Sequence, residues 1–318
     1  MRNVLSLFNG ISGCHLALDR AEIEYNQVYY AEIDKYANQV TQHHYPQDIA
    51  LGDVTKWQEW DIDWSSIDLV TAGFPCQAWS VAGQQQGDKD PRGMLFWTTL
   101  EIIAHVLKHN PKAKFLMENV KMKKDFEQYI THHTEQALGH VEKTLINSAL
   151  VSAQNRNRYY WTNFEVTQPD DKGILLRDIL ESGENDREKS QTILATIYKE
   201  NAKSMVKRNK MGLVVFKNES ATAAGKAYTL TASYNGAVAW NSCERKQRTM
   251  VPVAESDNVE PNVYNGLLYR KLTPIECERL QTIPDNWTDC ISNTQRYKSI
   301  GNGWTIDVIA HILKCAFR

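Results

Sequence analysis

The sequence predicts an α/β fold, with a mostly parallel, doubly wound sheet in its first half followed by a smaller domain. Three observations carry this. Residues 1 to about 164 alternate short apolar runs with amphipathic stretches of helical length, the pattern of a parallel sheet covered on both faces. Several of those runs end in a small-residue turn or an isolated acid, the places where ligands meet such sheets. From about Gln168 to Leu268 the alternation stops, and the chain becomes rich in Lys, Asn, Ser, Thr and Gly.

Taken in order, strands are predicted at Asn3 to Phe8, Gln27 to Ala31, Asp68 to Ala72, Lys114 to Met117, Leu145 to Val151 and Tyr159 to Trp161. Helices fit Gly13 to Ala21, Lys35 to His44 and Gly93 to Lys108, where apolar residues recur at helical spacing. The second stretch holds only brief apolar runs, Leu213 to Phe216 and Tyr228 to Thr231. The helical pattern resumes at Leu272, and Thr305 to Ala316 makes a last amphipathic helix. The expected division is residues 1–167 plus 286–318 as one domain and residues 168–285 as a small second one.

The chain has 318 residues, 42% of them hydrophobic, enough for one large core and a smaller one. No apolar run approaches the roughly 20 residues of a membrane span, and Val4 to Phe8 is too short for a secretion signal. A soluble, cytoplasmic protein with no membrane partner is therefore expected. The six cysteines are scattered without a Cys-x-x-Cys pair, so neither a zinc site nor a disulfide framework is indicated. Most are expected to be buried. His105 and His109 lie at i,i+4 without a metal-binding motif and read as helix surface. The net charge of −2 argues against a protein that coats nucleic acid nonspecifically. A local basic stretch exists all the same: Lys199 to Arg248 holds ten Lys or Arg against three acids, which suits contact with phosphates.

Three polar clusters stand where apolar strands end. Pro75-Cys76-Gln77 follows the strand that ends near Ala72 and Gly73, so its thiol is held by rigid backbone on one side and open on the other. Glu118-Asn119-Val120 ends the next strand. Gln154-x-Arg156-x-Arg158 precedes a third. A thiol, a carboxyl and paired guanidinium groups are the parts needed to attack an electron-poor pyrimidine ring. Earlier, Phe8-Asn9-Gly10-Ile11-Ser12-Gly13 forms a turn that lets backbone approach a ligand. Glu32 follows 22 positions after Gly10, placed as strand-end acids are for ribose hydroxyls.

Read in order, Phe8-x-Gly10, Glu32, Asp53, Pro75-Cys76-Gln77, Glu118-Asn119-Val120, Gln154-x-Arg156-x-Arg158, Arg270 to Pro274 with Glu278 to Gln281, and Gly301-Asn302 resemble the motif set of the DNA (cytosine-5) methyltransferases. The motifs span nearly the whole chain. Met94 to Trp97, Ser152 to Asn163 and Gly303-Trp304 also resemble the catalytic domain of the mammalian de novo enzymes. The resemblance implies a Rossmann-like S-adenosylmethionine-dependent methyltransferase fold with a small target-recognition domain. It implies S-adenosyl-L-methionine as cofactor and S-adenosyl-L-homocysteine as product. Phe8 would stack near the adenine, Glu32 bind the ribose and Asp53 reach the adenine amino group. Leu95 and Asn302 would close the pocket, and Gly10, Ile11, Gly13, Ile33, Val54, Pro75 and Trp304 complete it. Ser12 stands where many relatives have glycine, and Gly303-Trp304 replaces a more common Ser-small pair.

The chemistry implied is covalent. Cys76 as a thiolate adds to C6 of cytosine while Glu118 protonates N3, which makes C5 nucleophilic enough to take a methyl group. Arg158 would hold the cytosine O2, and Arg156 would orient Glu118 or the backbone. The C5 proton then leaves, with water the expected acceptor. A cytosine in double-stranded DNA must be flipped out to reach such a pocket. Ser80 to Gly93, polar and with glycines at 83, 87 and 93, is the expected lid, with Ser80, Lys89 and Arg92 meeting the DNA. Residues of the second domain would read base edges. The chain is expected to act as a monomer, with a cognate restriction endonuclease a possible partner at the same DNA site. Three rival readings remain: a cytosine-5 methyltransferase of transfer RNA, a catalytically silent DNA-binding homologue, and an enzyme adding a different group to cytosine. The Cys-Phe-Thr tripeptide of the tRNA-directed relatives is absent, and intact Cys76, Glu118, Arg156 and Arg158 count against silence.

Overall fold

A computed structural model describes residues 2–75, 93–182, 188–195, 197–199, 214–216, 262–264, 267–270 and 272–318. They fall into two compact units. The first comprises Met1–Asn147, Asn157–Pro169 and Ile306–Arg318, the second Ser148–Arg156 and Asp170–Thr305. Residues 286–305 and 148–156 thus lie in the second unit, whereas the sequence pattern assigned them to the first. Side-chain hydrogen bonds described below, rather than apolar periodicity, bind them there.

The first unit is built on β1 (Arg2–Leu7), β2 (Tyr25–Ala31), β3 (Ile49–Gly52), β4 (Ile67–Gly73), β5 (Lys114–Val120), β6 (Glu142–Asn147) and β8 (Asn157–Thr162). The short β7 (Gln154–Asn155) belongs to the second unit. The sheet order is β3-β2-β1-β4-β5-β8-β6. All neighbours pair parallel except β8, which runs antiparallel to both β5 and β6. Strand order reverses between β1 and β4, and the crevice beyond the carboxyl ends of those two strands is where a ligand is received in such sheets. Strands covered on both faces need near-continuous apolar runs. Val4, Leu5, Leu7, Ile67, Leu69, Phe115, Leu116 and Met117 accordingly have no exposed surface.

Helices α1 (Gly13–Ala21) and α2 (Lys35–His44) have the predicted bounds, and α3 (Met94–His109) is shifted by one residue. Helix α2 starts where Asp34 accepts hydrogen bonds from the backbone N–H groups of Tyr36 and Ala37, at 2.9 and 3.3 Å. The inner face of α3 buries Phe96, Leu100, Ile102, Ile103 and Val106 in the core. A fourth helix, α4 (Lys124–Leu138), was not visible in the apolar pattern. The strand expected over Leu145 to Val151 ends at Asn147, because Ser148–Leu150 closes a 3-10 turn, with Ser148 N–H donating to the Arg156 carbonyl at 2.9 Å.

In the second unit, α5 (Pro274–Leu280) begins with a reciprocal cap: Thr273 Oγ1 accepts from Glu276 N–H, and Glu276 Oε2 accepts from Thr273 N–H. It is followed by α6 (Asn293–Asn302), and the short strand β9 (Ser190–Gln191) pairs parallel with β7. Strands β10 (Val214–Phe216), β11 (Asn262–Tyr264) and β12 (Leu267–Arg270) form a small antiparallel sheet in the order β10-β12-β11. The run Tyr228 to Thr231 lies outside the described residues. The last helix, α7 (Ile306–Ala316), returns to the first unit and packs on α1, where Arg20 pairs with Asp307. No described helix is long and apolar enough to cross a membrane.

Glu278 of the second unit is fully buried. Arg296 Nη2 donates to both of its carboxylate oxygens at 3.1 Å, and Asn286 N–H, Thr288 N–H and Thr288 Oγ1 complete the shell. Removing one partner of such a pair strands the other charge without water. Glu278→Ala is expected to destabilise this unit by about 3–5 kcal/mol, visible as a lower midpoint in urea unfolding monitored by tryptophan fluorescence.

Candidate active site

Glu118 lies near the carboxyl end of β5, almost buried, and its Oε1 accepts from Arg158 Nε at 2.9 Å. The antiparallel register explains the pair. Glu118 faces Tyr160 and Val120 faces Arg158, so Glu118 and Arg158 are diagonal neighbours on one face of the sheet, within reach of a long side chain. Arg158 Nη1 also donates to the Asn157 carbonyl at 2.9 Å. The neighbouring Asn119 is buried and points the other way. Its Nδ2 donates to the Phe74 carbonyl at 3.1 Å, and its Oδ1 accepts from Val120 N–H at 2.8 Å. Asn119 therefore ties the end of β5 to the segment just beyond β4 that continues into Pro75. Phe74 itself packs its ring against Phe96 of α3, with centroids 5.5 Å apart. Cys76, Ser80, Lys89 and Arg92, along with most of the basic stretch, lie outside the described residues.

The second cluster stands beyond β1 and β2. Phe8, Gly10 and Ser12 have φ of 55°, 57° and 65°, so left-handed residues recur at every second position of the turn. This geometry presents backbone N–H groups to an anion. The Gly10 N–H donates to Glu32 Oε2 at 2.8 Å, while Glu32 Oε1 accepts from Ile33 N–H and Asp34 N–H, each at 2.8 Å. Ile33, next to the strand-end carboxylate, is 76% exposed. Ile11 and Val54 are instead buried, Val54 with the main core. Leu95 packs partly against that core. Asp53 follows β3 and caps the next turn. Its Oδ1 accepts from Thr55 N–H and Thr55 Oγ1, both at 2.9 Å, and these bonds hold its carboxyl below the usual range.

Arg156 precedes Arg158 in the same motif and bonds to backbone carbonyls. It belongs to the second unit, is buried, and spreads its guanidinium over backbone carbonyls. Its Nη2 donates to Gly303 O at 2.8 Å, with longer bonds to Gly301 O and Ile193 O. Gln154 and Gln281, both fully buried, extend the same scaffold. Gln154 Nε2 donates to Leu280 O at 3.1 Å and its Oε1 accepts from Ile193 N–H at 2.8 Å. Gln281 Nε2 donates to Ile300 O and Gly303 O. These bonds fix the segment carrying Asn302, which is exposed, and Trp304, which is half-buried.

The matched family model is that of the C-5 cytosine-specific DNA methylases, and it covers residues 2–318. The chain belongs to this family. Among curated relatives, the type II methyltransferase M.NlaX of Neisseria lactamica is 31% identical over 98% of this chain and 95% of its own length. M1.ScrFI of Lactococcus lactis subsp. cremoris, also a type II methyltransferase, is 29% identical over 96% of this chain and 75% of its own. Among solved structures, the Entamoeba histolytica methyltransferase EhMeth superposes with a TM-score of 0.67 at 14% identity, covering 100% of this chain and 98% of that one. That likeness shows a shared fold.

In this DNA (cytosine-5-)-methyltransferase, Asn119, Gln154 and Gln281 belong to the motifs, yet motif reading assigned them no role of their own. Only their side-chain bonds reveal what they hold. Two of the described cysteines are buried thiols. Cys14 is fully buried and its thiol is pushed up to about 12, chiefly by burial, and Cys277 is buried as well. At about pH 8, iodoacetamide is expected to leave both unmodified in the native methylase and to label both after denaturation, as read by peptide mass mapping. The Gly301 position tolerates no side chain: an added Cβ would stand 2.4 Å from the Ala195 nitrogen and 2.6 Å from the Leu194 carbonyl carbon. Gly301→Ala should destabilise the second unit by about 2 kcal/mol or more, measured by thermal unfolding.

Proposed function

We propose that this methylase transfers a methyl group from S-adenosyl-L-methionine to C5 of a flipped-out cytosine in a specific double-stranded DNA sequence, through a bond between Cys76 and C6. The observation that carries the reading is the Glu118–Arg158 pair at the end of β5, next to the strand end that leads into Pro75-Cys76. The residues beyond β1 and β2 fit the cofactor: a backbone turn, a strand-end carboxylate, and an exposed aliphatic surface at Ile33 for a flat ring. Phe8, Gly10, Glu32, Ile33 and Asp53 would hold it, with Pro75, Leu95, Asn302 and Trp304 as further walls. Ile11, Gly13 and Val54 would act through backbone. When bound, the cofactor supplies an electrophilic methyl group on a sulfonium and departs as S-adenosyl-L-homocysteine.

The protein's own steps balance as follows. The Cys76 thiolate adds at C6 as Glu118 gives a proton to N3, and the C5–C6 electron pair is released toward the methyl carbon. After the methyl is attached, C5 loses its proton to water. The C6–S bond then breaks to return the thiolate, and N3 returns its proton to Glu118. Arg158, fixed by Glu118 and the Asn157 carbonyl, supplies the fixed positive charge for the cytosine O2. Ser80, Lys89 and Arg92 would contact the DNA. The chain would act as a monomer, and the type II names of its relatives support a cognate restriction endonuclease acting at the same sequence.

The test gives purified protein labelled S-adenosyl-L-methionine with unmethylated duplex DNA and, separately, transfer RNA. Label on DNA at 5-methylcytosine, lost in Cys76→Ser, is the expected result. Glu118→Gln should lower kcat by about 10²–10⁴-fold. Label on transfer RNA alone would replace this reading, as would DNA binding with no transfer.

A further inference from the structure

Beneath the turn after β1 lies a buried polar cluster that no step of the chemistry uses. Ser6, Asn9, Ser12, Thr41 and Thr71 are all buried. Ser12 Oγ donates to Thr41 Oγ1 at 2.8 Å, and Asn9 Nδ2 donates to the same oxygen at 3.0 Å. Ser6 Oγ donates to Asn9 Oδ1 at 2.9 Å. The cluster thus joins β1, the turn and α2, elements that lie 29 to 32 residues apart in the chain. Ser12 meanwhile has φ 65° and ψ 37°, a left-handed conformation that a residue with a Cβ adopts at a cost. Such a conformation persists when its surroundings over-determine it.

We infer that Thr41 is a positioning residue for the cofactor: its hydroxyl holds Ser12 left-handed and so keeps the turn shaped for the ligand before the ligand arrives. This rests on the S-adenosyl-L-methionine reading above. The physical chain is short. Ser12 needs φ near +65° for α1 to begin at Gly13 while the Gly10 N–H still faces Glu32. Without the bond to Thr41, Ser12 relaxes toward negative φ and the turn samples other shapes. The fraction of molecules competent to bind falls, and apparent affinity falls with it. Thr41 touches no reacting atom, so its loss acts on binding and leaves the chemical step alone.

Ser12→Ala and Ser12→Gly separate this from a merely structural role. Both delete the hydroxyl and leave Thr41 short of the same partner, but only alanine keeps the left-handed penalty. The readouts are S-adenosyl-L-homocysteine binding by titration calorimetry well below the melting temperature, the melting temperature itself, and the KM for cofactor against kcat. Ser12→Ala and Thr41→Val should each weaken binding by roughly tenfold and raise KM with kcat unchanged. Ser12→Gly and Thr41→Ser should stay within roughly threefold of the wild type. Equal losses for Ser12→Ala and Ser12→Gly, or wild-type affinity in Ser12→Ala and Thr41→Val with only a lower melting temperature, would overturn the inference while the cofactor reading stands. If the wild type itself binds no S-adenosyl-L-homocysteine, the cofactor reading falls and this inference falls with it.

Discussion

The candidate site depends on one antiparallel strand in an otherwise parallel sheet. Strand β8 runs against β5, and its register sets Arg158 opposite Val120 and Tyr160 opposite Glu118. Had β8 run parallel, a helical crossover would have to separate it from its neighbour. The reversal instead lets β6 and β8 pair directly and return the chain to the strand end where Glu118 stands. A shift of one residue would turn Arg158 to the opposite face and leave Glu118 without its cation. The ion pair is therefore a readout of sheet register, in a strand whose consecutive Tyr160, Trp161 and Thr162 are all buried.

A second constraint is shared by the described loops that carry candidate residues. These loops leave regular structure, so their backbone groups need other partners, and buried polar groups without partners are costly. The protein meets the need with side chains drawn from distant elements. Asn119 holds the Phe74 carbonyl, Glu32 holds the Gly10 N–H, and Arg156 holds the carbonyls of Gly301 and Gly303. Each bond fixes a turn that would otherwise have several shapes. Polar residues that look functional by type are in several cases the ones that hold the functional backbone still, which is how precise sites are supported.

The helices and strands were legible to very different degrees, for physical reasons. Helices α1 and α2 stood out by their amphipathic spacing. Helix α4 did not, because its buried face consists of Glu127, Ile130 and Thr134. Glu127 is buried in a pair with Lys143, and Thr134 returns its hydroxyl to the Ile130 carbonyl, so two of the three inward residues are polar in the sequence. Strand β3 escaped notice as a four-residue edge strand with little burial. In the motif Gln154-x-Arg156-x-Arg158 the period of two suggests one face, yet the strand begins only at Asn157 and the two arginines serve different units.

The sequence by itself determined the fold class, the order of strand-end clusters and the family, because these are written in apolar periodicity and in short motifs whose residues are neighbours in the chain. The tertiary structure alone decided that Arg158 meets Glu118, that Arg156 and the two glutamines bind backbone, that Gly301 is needed for close contact with Ala195, and that Thr41 lies against Ser12. Those contacts join residues tens of positions apart through side-chain hydroxyls, amides and a missing Cβ. Nothing in local pattern marks such partners, since their pairing is set only when the sheet register and the helix packing bring them within hydrogen-bonding distance.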